Sequence, residues 1–449
     1  MTLKLPFCSA LWLGRFAVKR GLVVTGFLLV ADFLCADDYA DRFRQAAAYS
    51  QQGNYEQAIL QYQAALQMRP GAPEVLNNLA VMYYEAGKYV EAFGTASQIW
   101  ENHAELPSAA LITGMAAVQC NQPKDAIAPL KKLLSSDPAN RDALLGLASA
   151  YYALNELPEA IETYKSEIGY SPRDANAWYG LAICYERMAE NASKMLSQVP
   201  GGAGYSKRLL AQYLQSAGNN RLAEEAFGEA EMNPATSSPE AERQYRLACD
   251  LANQSRSAFE QFIRLAPDSW QASVFLGDVD RQHGNFPSAL AHYQKAAKEQ
   301  PKNPAPLLGL GTVYWELGDF DRAVSYLRET LQLNPQSSQA VFELANIAVR
   351  RHLYAEAVPL LKQYLSAQSN ALAARADLGR AYLHLGQYEN AATELTKAAD
   401  ADEEGDIHYQ LSTALKKLGR TQEANAALKK SGEIREARLR RDQRLHTVP

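Results

Sequence analysis

Seven histidines and five cysteines are the side chains here best suited to metal binding or covalent catalysis. His103, His283, His292, His352, His384, His408 and His446 include no i, i+4 pair of the kind a helical zinc site needs. Cys8 and Cys35 fall in the first 36 residues. Cys120, Cys184 and Cys249 stand singly, without metal-ligand spacing, and read as small buried apolar residues. No serine sits in a G-x-S-x-G turn, and no G-x-x-x-x-G-K phosphate loop is present. The glycines of LLGLGTVYW, residues 307–315, lie in a helical pattern and read as packing residues. Acidic pairs are frequent, but charges on helix surfaces are usually solvated. The N-x-S patterns at Asn191 and Asn253 matter only in a glycosylating compartment. The expectation is a chain with no catalytic residues, no metal and no cofactor. The remaining chemistry is non-covalent recognition by Tyr, Trp and Arg, the residues enriched at binding hot spots.

Such residues need elements to position them, and the chain supplies these by repetition. Its 449 residues would ordinarily suggest several domains. Instead, from about residue 39, the sequence repeats every 34 residues. GNYEQAILQYQAALQMRP at 53–70 matches GNFPSALAHYQKAAKEQP at 284–301 and GDFDRAVSYLRETLQLNP at 318–335. Each follows a helical run such as LLGLASAYYALN or LLGLGTVYWELG. With each unit numbered so that this glycine is position 15, position 8 is small: Ala46, Ala80, Gly114, Ala148, Ala182, Ala211, Gly277, Gly311, Ala345, Gly379. Position 20 is also small: Ala58, Ala92, Ala126, Ala160, Ala223, Ala289, Ala323, Ala357, Ala391, Ala424. Two antiparallel helices approach closely where both residues are small. Position 15 glycines permit the turn, and Pro70, Pro138, Pro172, Pro301 and Pro335 stop the second helix.

This pattern resembles the tetratricopeptide-repeat family over about residues 39–438. The resemblance implies an all-α α-solenoid, a right-handed superhelix of about 12 helix-turn-helix hairpins, two of them irregular. It implies a non-catalytic scaffold that binds a peptide or helix of a protein partner in a concave groove. Regular units occupy 37–174 and 270–438, an irregular middle 175–269, and a basic tail 439–449. The stretches 186–200 and 243–267 each look like a long or slipped hairpin, while PGGAG at 200–204 and MNPATSSPE at 232–240 read as connectors. In the family, positions 2, 5, 9, 12 and 13 of the first helix face the groove. By that register the candidate partner-binding residues are Asn77, Tyr84, Tyr152, Tyr179, Arg187, Arg208, Arg281, Trp315, Asn346, Arg350, Arg380 and His384. The family's terminal-carboxylate clamp is not evident, because Phe43 and Ala47 stand where Lys and Asn would be wanted. Arg350, Asn346 and Arg380 offer a local carboxylate site instead, since arginine pairs bidentately with carboxylates.

Charge and the leader place the chain further. The formal charge is −5, and residues 1–36 carry +3, so the remainder is at −8. An acidic body speaks against nucleic acid as a partner, which wants a basic face. Lys4, Arg15, Lys19 and Arg20 precede the apolar run GLVVTGFLLV at 21–30, followed by a small residue at Ala36. This reads as a secretory signal and predicts an exported, periplasmic or secreted bacterial protein. An uncleaved membrane anchor at 21–34 is the alternative, and would make the chain a tethered assembly factor. An accessory role in an envelope glycosyltransferase or protease complex, or self-association through exposed ends, presents the same surface. The basic helix around Arg435, Arg438, Arg440, Arg441 and Arg444 reads as a solubilising cap; contact with a membrane surface or an acidic partner is its sharper reading.

Overall fold

The computed structural model describes residues 36–445, apart from 104–105, 217–222, 225, 229 and 231–237. Residues 1–35 of the leader, most of the MNPATSSPE segment and residues 446–449 lie outside the described residues. Every described element is helical. The chain forms two compact units, one ending at Pro267 and one beginning at Asp268. Unit 1 holds α1 (Ala36–Gln51), α2 (Tyr55–Met68), α3 (Pro73–Glu85), α4 (Tyr89–Asn102), α5 (Pro107–Gln119), α6 (Pro123–Ser136), α7 (Arg141–Ala153), α8 (Leu157–Tyr170), α9 (Ala175–Leu196), α10 (Gly202–Ser216) and α11 (Pro239–Leu265). Unit 2 holds α12 (Trp270–Gln282), α13 (Phe286–Glu299), α14 (Pro304–Glu316), α15 (Phe320–Leu333), α16 (Ser338–Arg350), α17 (Tyr354–Ala367), α18 (Leu372–His384), α19 (Tyr388–Ala398), α20 (Asp406–Lys417) and α21 (Thr421–Leu445). Each unit is an α-solenoid in which consecutive helices pair as hairpins and neighbouring hairpins stack.

The turn inside each hairpin explains its 34-residue period. From α3 to α8, first helices of 13 residues alternate with second helices of 14. Apart from α9, each first helix ends in one left-handed residue at position 15. Gly53, Gly87, Gly284, Gly318, Gly386 and Gly419 take φ between 72° and 77° there. Asn121, Asn155 and His352 replace glycine at the same position and take φ of 59°, 61° and 60°. Around Gly318, the backbone N–H of Gly318 donates to Trp315 O and that of Asp319 to Tyr314 O. These are the two bonds of a Schellman motif, and Asn155 and His352 sit in the same pair of bonds. Asparagine and histidine are among the few non-glycine residues that tolerate this backbone region.

Close packing follows the small residues. Ala46, Ala148, Ala182 and Ala345 at position 8, and Ala58, Ala92, Ala126, Ala160, Ala289, Ala323, Ala357 and Ala391 at position 20, are all fully buried. The second helices α2, α6, α8, α13 and α15 each end two residues before their proline. Proline has no N–H and restricts the residue before it, so the helix stops.

The middle of the chain departs from the sequence reading. The stretches 186–200 and 243–267 are not two hairpins. They belong to α9 and α11, which are the two arms of one long hairpin. Ser255 Oγ donates to Ala182 O at 3.0 Å, so a small residue of α11 meets position 8 of α9. Tyr179 packs on Phe259 and Phe262, which makes the arms antiparallel. Helix α10 lies between these arms in sequence and packs against both. Its Tyr205 ring lies 5.2 Å from that of Tyr245 on α11. Ala211 therefore belongs to an insertion within a hairpin, not to a regular unit of its own.

One buried acid breaks the apolar pattern. Position 27 is Ala65, Ile99, Leu133, Ala296, Thr330 and Tyr364 in other units, all buried. In the fourth unit it is Glu167, which is 0% exposed, and both its carboxyl oxygens lack a hydrogen-bonding donor. Asp174, the N-cap of α9, lies beside it and is held by Arg141 through Nη2–Oδ1 at 3.1 Å and through Nε. Burial pushes the Glu167 carboxyl up; Ser171 and Arg141 oppose this and Asp174 adds to it.

Two expectations follow from these local features. Asn155→Gly should leave urea stability equal or higher, whereas Asn155→Val should lose about 1–2 kcal/mol, because a β-branched residue resists the left-handed backbone. Equal midpoints for the two variants would contradict the assignment. Folding favours the protonated form of Glu167 relative to the unfolded chain. Its contribution is complete below the ordinary glutamate value of about 4.3 and fades as pH rises through the raised one. Glu167→Gln should therefore raise stability near neutral pH and flatten its pH dependence above that value; an unchanged slope in urea titrations at stepped pH would refute this.

Candidate interaction surface

The register places the candidate residues where successive first helices meet, and the two units use this face differently. In unit 1 it is largely consumed by packing. Asn77 Oδ1 accepts a 2.7 Å bond from Ser108 Oγ, linking α3 to α5. Tyr84 and Tyr152, named as candidate partner-binding residues, are interior residues, 5% and 4% exposed, and their rings serve packing. The Tyr84 ring packs edge-on to Tyr89 at 5.3 Å, and burial pushes its hydroxyl pKa up. Tyr152 lies under the Arg187 guanidinium, 4.2 Å from the ring centroid. Tyr179 is half-buried between α9 and α11. Arg208 is exposed, but on α10, where it lies 5.7 Å from the Tyr205 ring. It belongs to the insertion and not to a regular first helix.

Unit 2 carries a polar ladder on the same face. Tyr293 reaches it from α13. Its ring lies against Gly277 of α12 and Gly309 of α14, where an added Cβ would come 2.8 Å and 2.4 Å from the ring. The fully buried hydroxyl then donates to Asp278 Oδ1 at 2.6 Å. Arg281 Nη1 donates to Glu316 Oε1 at 2.7 Å. Burial works against the Arg281 charge, but Glu316 and Asp278 outweigh it and push its pKa up. Burial also raises the Glu316 carboxyl against the pull of Arg281. Thr312 and Gln339 both donate to Glu343, which is 7% exposed. Trp315 Nε1 donates to Asn346 Oδ1 at 3.2 Å, and Arg350 Nε donates to the same oxygen at 2.9 Å. The Arg350 guanidinium lies 5.6 Å from the Trp315 ring centroid.

The ladder continues into α18. Arg380 Nη1 donates to Asp377 Oδ1 at 3.2 Å. Burial raises the Asp377 carboxyl, while Arg380, a hydrogen bond from Asn346 and the charge of Arg350 lower it. The three residues expected to form a local carboxylate site are therefore brought together, but around a carboxylate of the chain itself. His384 is exposed, with its ring stacked flat on Tyr354 at 4.3 Å. Sequence reasoning missed Glu343 and Asp377, which share position 6 in consecutive units. Gly146, Gly180 and Gly309 occupy that position elsewhere, so two successive acids there were a readable signal.

The Arg281–Glu316 pair ties α12 to α14 in a poorly hydrated setting. Replacing Arg281 by Met should cost about 2 kcal/mol by leaving Glu316 without its partner. A double-mutant cycle with Glu316→Gln should give a coupling of at least about 1 kcal/mol in chemical unfolding of unit 2. Additive losses would show that the pair is a surface contact only.

Models described as "Tetratricopeptide repeat" match residues 43–105, 117–166, 252–304, 280–347 and 348–411, together more than half of the chain. The match at 252 begins where α11 takes up the repeat register. Superkiller protein 3 of Schizosaccharomyces pombe is 22% identical over 355 residues, covering 77% of this chain and 24% of that protein. The CTR9 homolog of Arabidopsis thaliana is 20% identical over 346 residues, covering 75% and 26%. The chain thus spans about a quarter of the length of these curated relatives. Among solved structures, MamA from Desulfovibrio magneticus RS-1 is 24% identical, with 37% of this chain and 96% of that chain covered at a TM-score of 0.35. YrrB, described as a TPR protein with an unusual peptide-binding site, is 18% identical, with 40% and 93% covered at 0.37. The repeat register, the hairpin stacking and the family models agree: the chain belongs to the tetratricopeptide-repeat family, whose members are generally non-catalytic scaffolds that bind protein or peptide partners.

Proposed function

We propose that the chain is an exported, non-catalytic scaffold that holds a peptide or helix of a partner protein along the first-helix face of unit 2. The observation that carries this reading is the Trp315–Asn346–Arg350 set. An indole, an amide and an exposed guanidinium are aligned on α14 and α16 and fixed by their mutual hydrogen bonds. Tryptophan and arginine held rigidly in this way lose little freedom when a partner docks. The basic, then apolar, then small-residue order of residues 1–36 supports export. The scaffold would act by raising local concentration and fixing geometry, with no covalent step.

One capture experiment addresses both parts. The native chain and a Trp315→Ala, Arg350→Ala variant, each confirmed helical by circular dichroism, are immobilised and offered separate envelope and cytosolic extracts of the producing cells. A protein held from the envelope extract by the native chain and lost by the variant is the expected result. Equal retention by both would remove the function from this face, and capture from the cytosolic extract alone would remove the export reading.

A further inference from the structure

Charge reverses along the first-helix face of unit 2. Position 13 of its five first helices reads Gln282, Glu316, Arg350, His384, Lys417. Position 9 reads Asp278, Thr312, Asn346, Arg380, Thr413, and position 12 reads Arg281, Trp315, Val349, Leu383, Lys416. At α12 and α14 the ladder is acidic, with Asp278 and Glu316 against Arg281. Across α16, α18 and α20 it becomes basic, with Arg350, Arg380, Lys416 and Lys417. Asp377 and Asp406 oppose them, but only 13% of the Asp377 side chain is exposed and Arg380 already binds it, and Asp406 at position 2 of α20 is paired with Arg435. Arg350, His384, Lys416 and Lys417 are exposed. Among the described residues none of these four has a carboxylate within 4.0 Å. Cations nearby on other faces are paired: Arg351 with Asp321, Arg375 and Lys397 with Glu394, and Arg420 with Glu423.

We propose that the face formed by α16, α18 and α20 takes an acidic stretch of a partner protein through its side-chain carboxylates. This rests on the reading that the first-helix face of unit 2 is the partner surface, and it names the chemistry of the partner. The chain as a whole carries −5, so its net charge does not by itself draw an acidic segment. A local basic row therefore decides where such a segment can land. Neighbouring packed helices lie about 8–10 Å apart, and an extended chain rises about 3.3 Å per residue. One acid in every three residues thus matches the spacing of successive repeats. The Arg350 guanidinium is oriented by Asn346 and so is pre-set to receive a carboxylate, whereas Arg380 is already engaged by Asp377. Trp315 beside Arg350 offers a flat apolar surface to the neighbouring residue of the segment. No terminal carboxylate is required.

The probe is a short, fluorescein-labelled, C-terminally amidated peptide with Glu at every third position, titrated with the full chain and followed by anisotropy. Counterparts with Gln or Lys in place of Glu serve as comparisons. The Glu peptide should bind, weaken as salt rises, and outcompete both counterparts. Arg350→Glu with Lys417→Glu should weaken it by at least about tenfold, while Lys302→Glu with Arg328→Glu, the same charge change off this face, should stay within about twofold. Equal losses in both double variants, no loss in the first, or equal binding of the Gln peptide would each overturn the proposal. If the native chain captures a partner that Trp315→Ala, Arg350→Ala loses, yet the Glu peptide does not bind, the scaffold reading stands and the acidic-partner inference falls.

Discussion

Each hairpin is built on a close approach of its two helices at small residues: a Cβ added to Gly114, Gly311 or Gly379 of the first helix would strike Leu130, Leu327 or Leu395 of the second. The large side chain of the second helix fits there only because the first helix presents almost none. The alanines at these positions are buried wherever the regular units place them. That contact sets how the first helix is rotated, and therefore which face it turns to the next hairpin. The split hairpin shows how strong the constraint is. Ser255 and Ala182 are 73 residues apart in sequence and still meet at hydrogen-bonding distance. A solenoid tolerates such an insertion because each repeat answers only to its neighbours.

The same backbone then carries two different surfaces. In unit 1 the first-helix face buries its aromatic rings: Tyr84 against Tyr89, and Tyr152 beneath Arg187. Unit 2 spends the equivalent positions on polar groups, each held by another. Tyr293 is the clearest case. Glycines on two neighbouring helices leave room for its ring, and its hydroxyl fixes Asp278 from beneath. Buried polar groups of this kind are stable only when each finds a partner, and once satisfied they hold side chains in one geometry. Unit 2 is therefore the part of the chain whose first-helix polar groups are held in fixed positions.

Charge follows the stacking rather than the local sequence. Arg281 and Glu316 lie in different hairpins, as do Thr312 and Glu343. Pairing across repeats neutralises the acids of α12 and α14 in part, while among the described residues Arg350 of α16 and Lys416 and Lys417 of α20 have no carboxylate partner. A repeat protein can vary such rows without disturbing its core, because the residues that build the hairpins occupy other positions of the same helices.

The sequence by itself determined the period, the helical hairpins and the residues at their turns. Those features are local steric requirements: a left-handed residue, met by glycine or by Asn121, Asn155 and His352, and small residues at fixed spacing. The candidate residues of unit 2 were legible for the same reason, since register alone assigns them to a face. Only the tertiary structure decided that α9 pairs with α11, because Ala211 and Ala223 happen to satisfy the small-residue spacing inside the insertion. It also decided that Tyr84 and Tyr152 are buried and that Asp377 occupies the arginine cluster. Burial and charge pairing depend on side chains about one repeat away, which chain stacking brings together and local spacing does not encode.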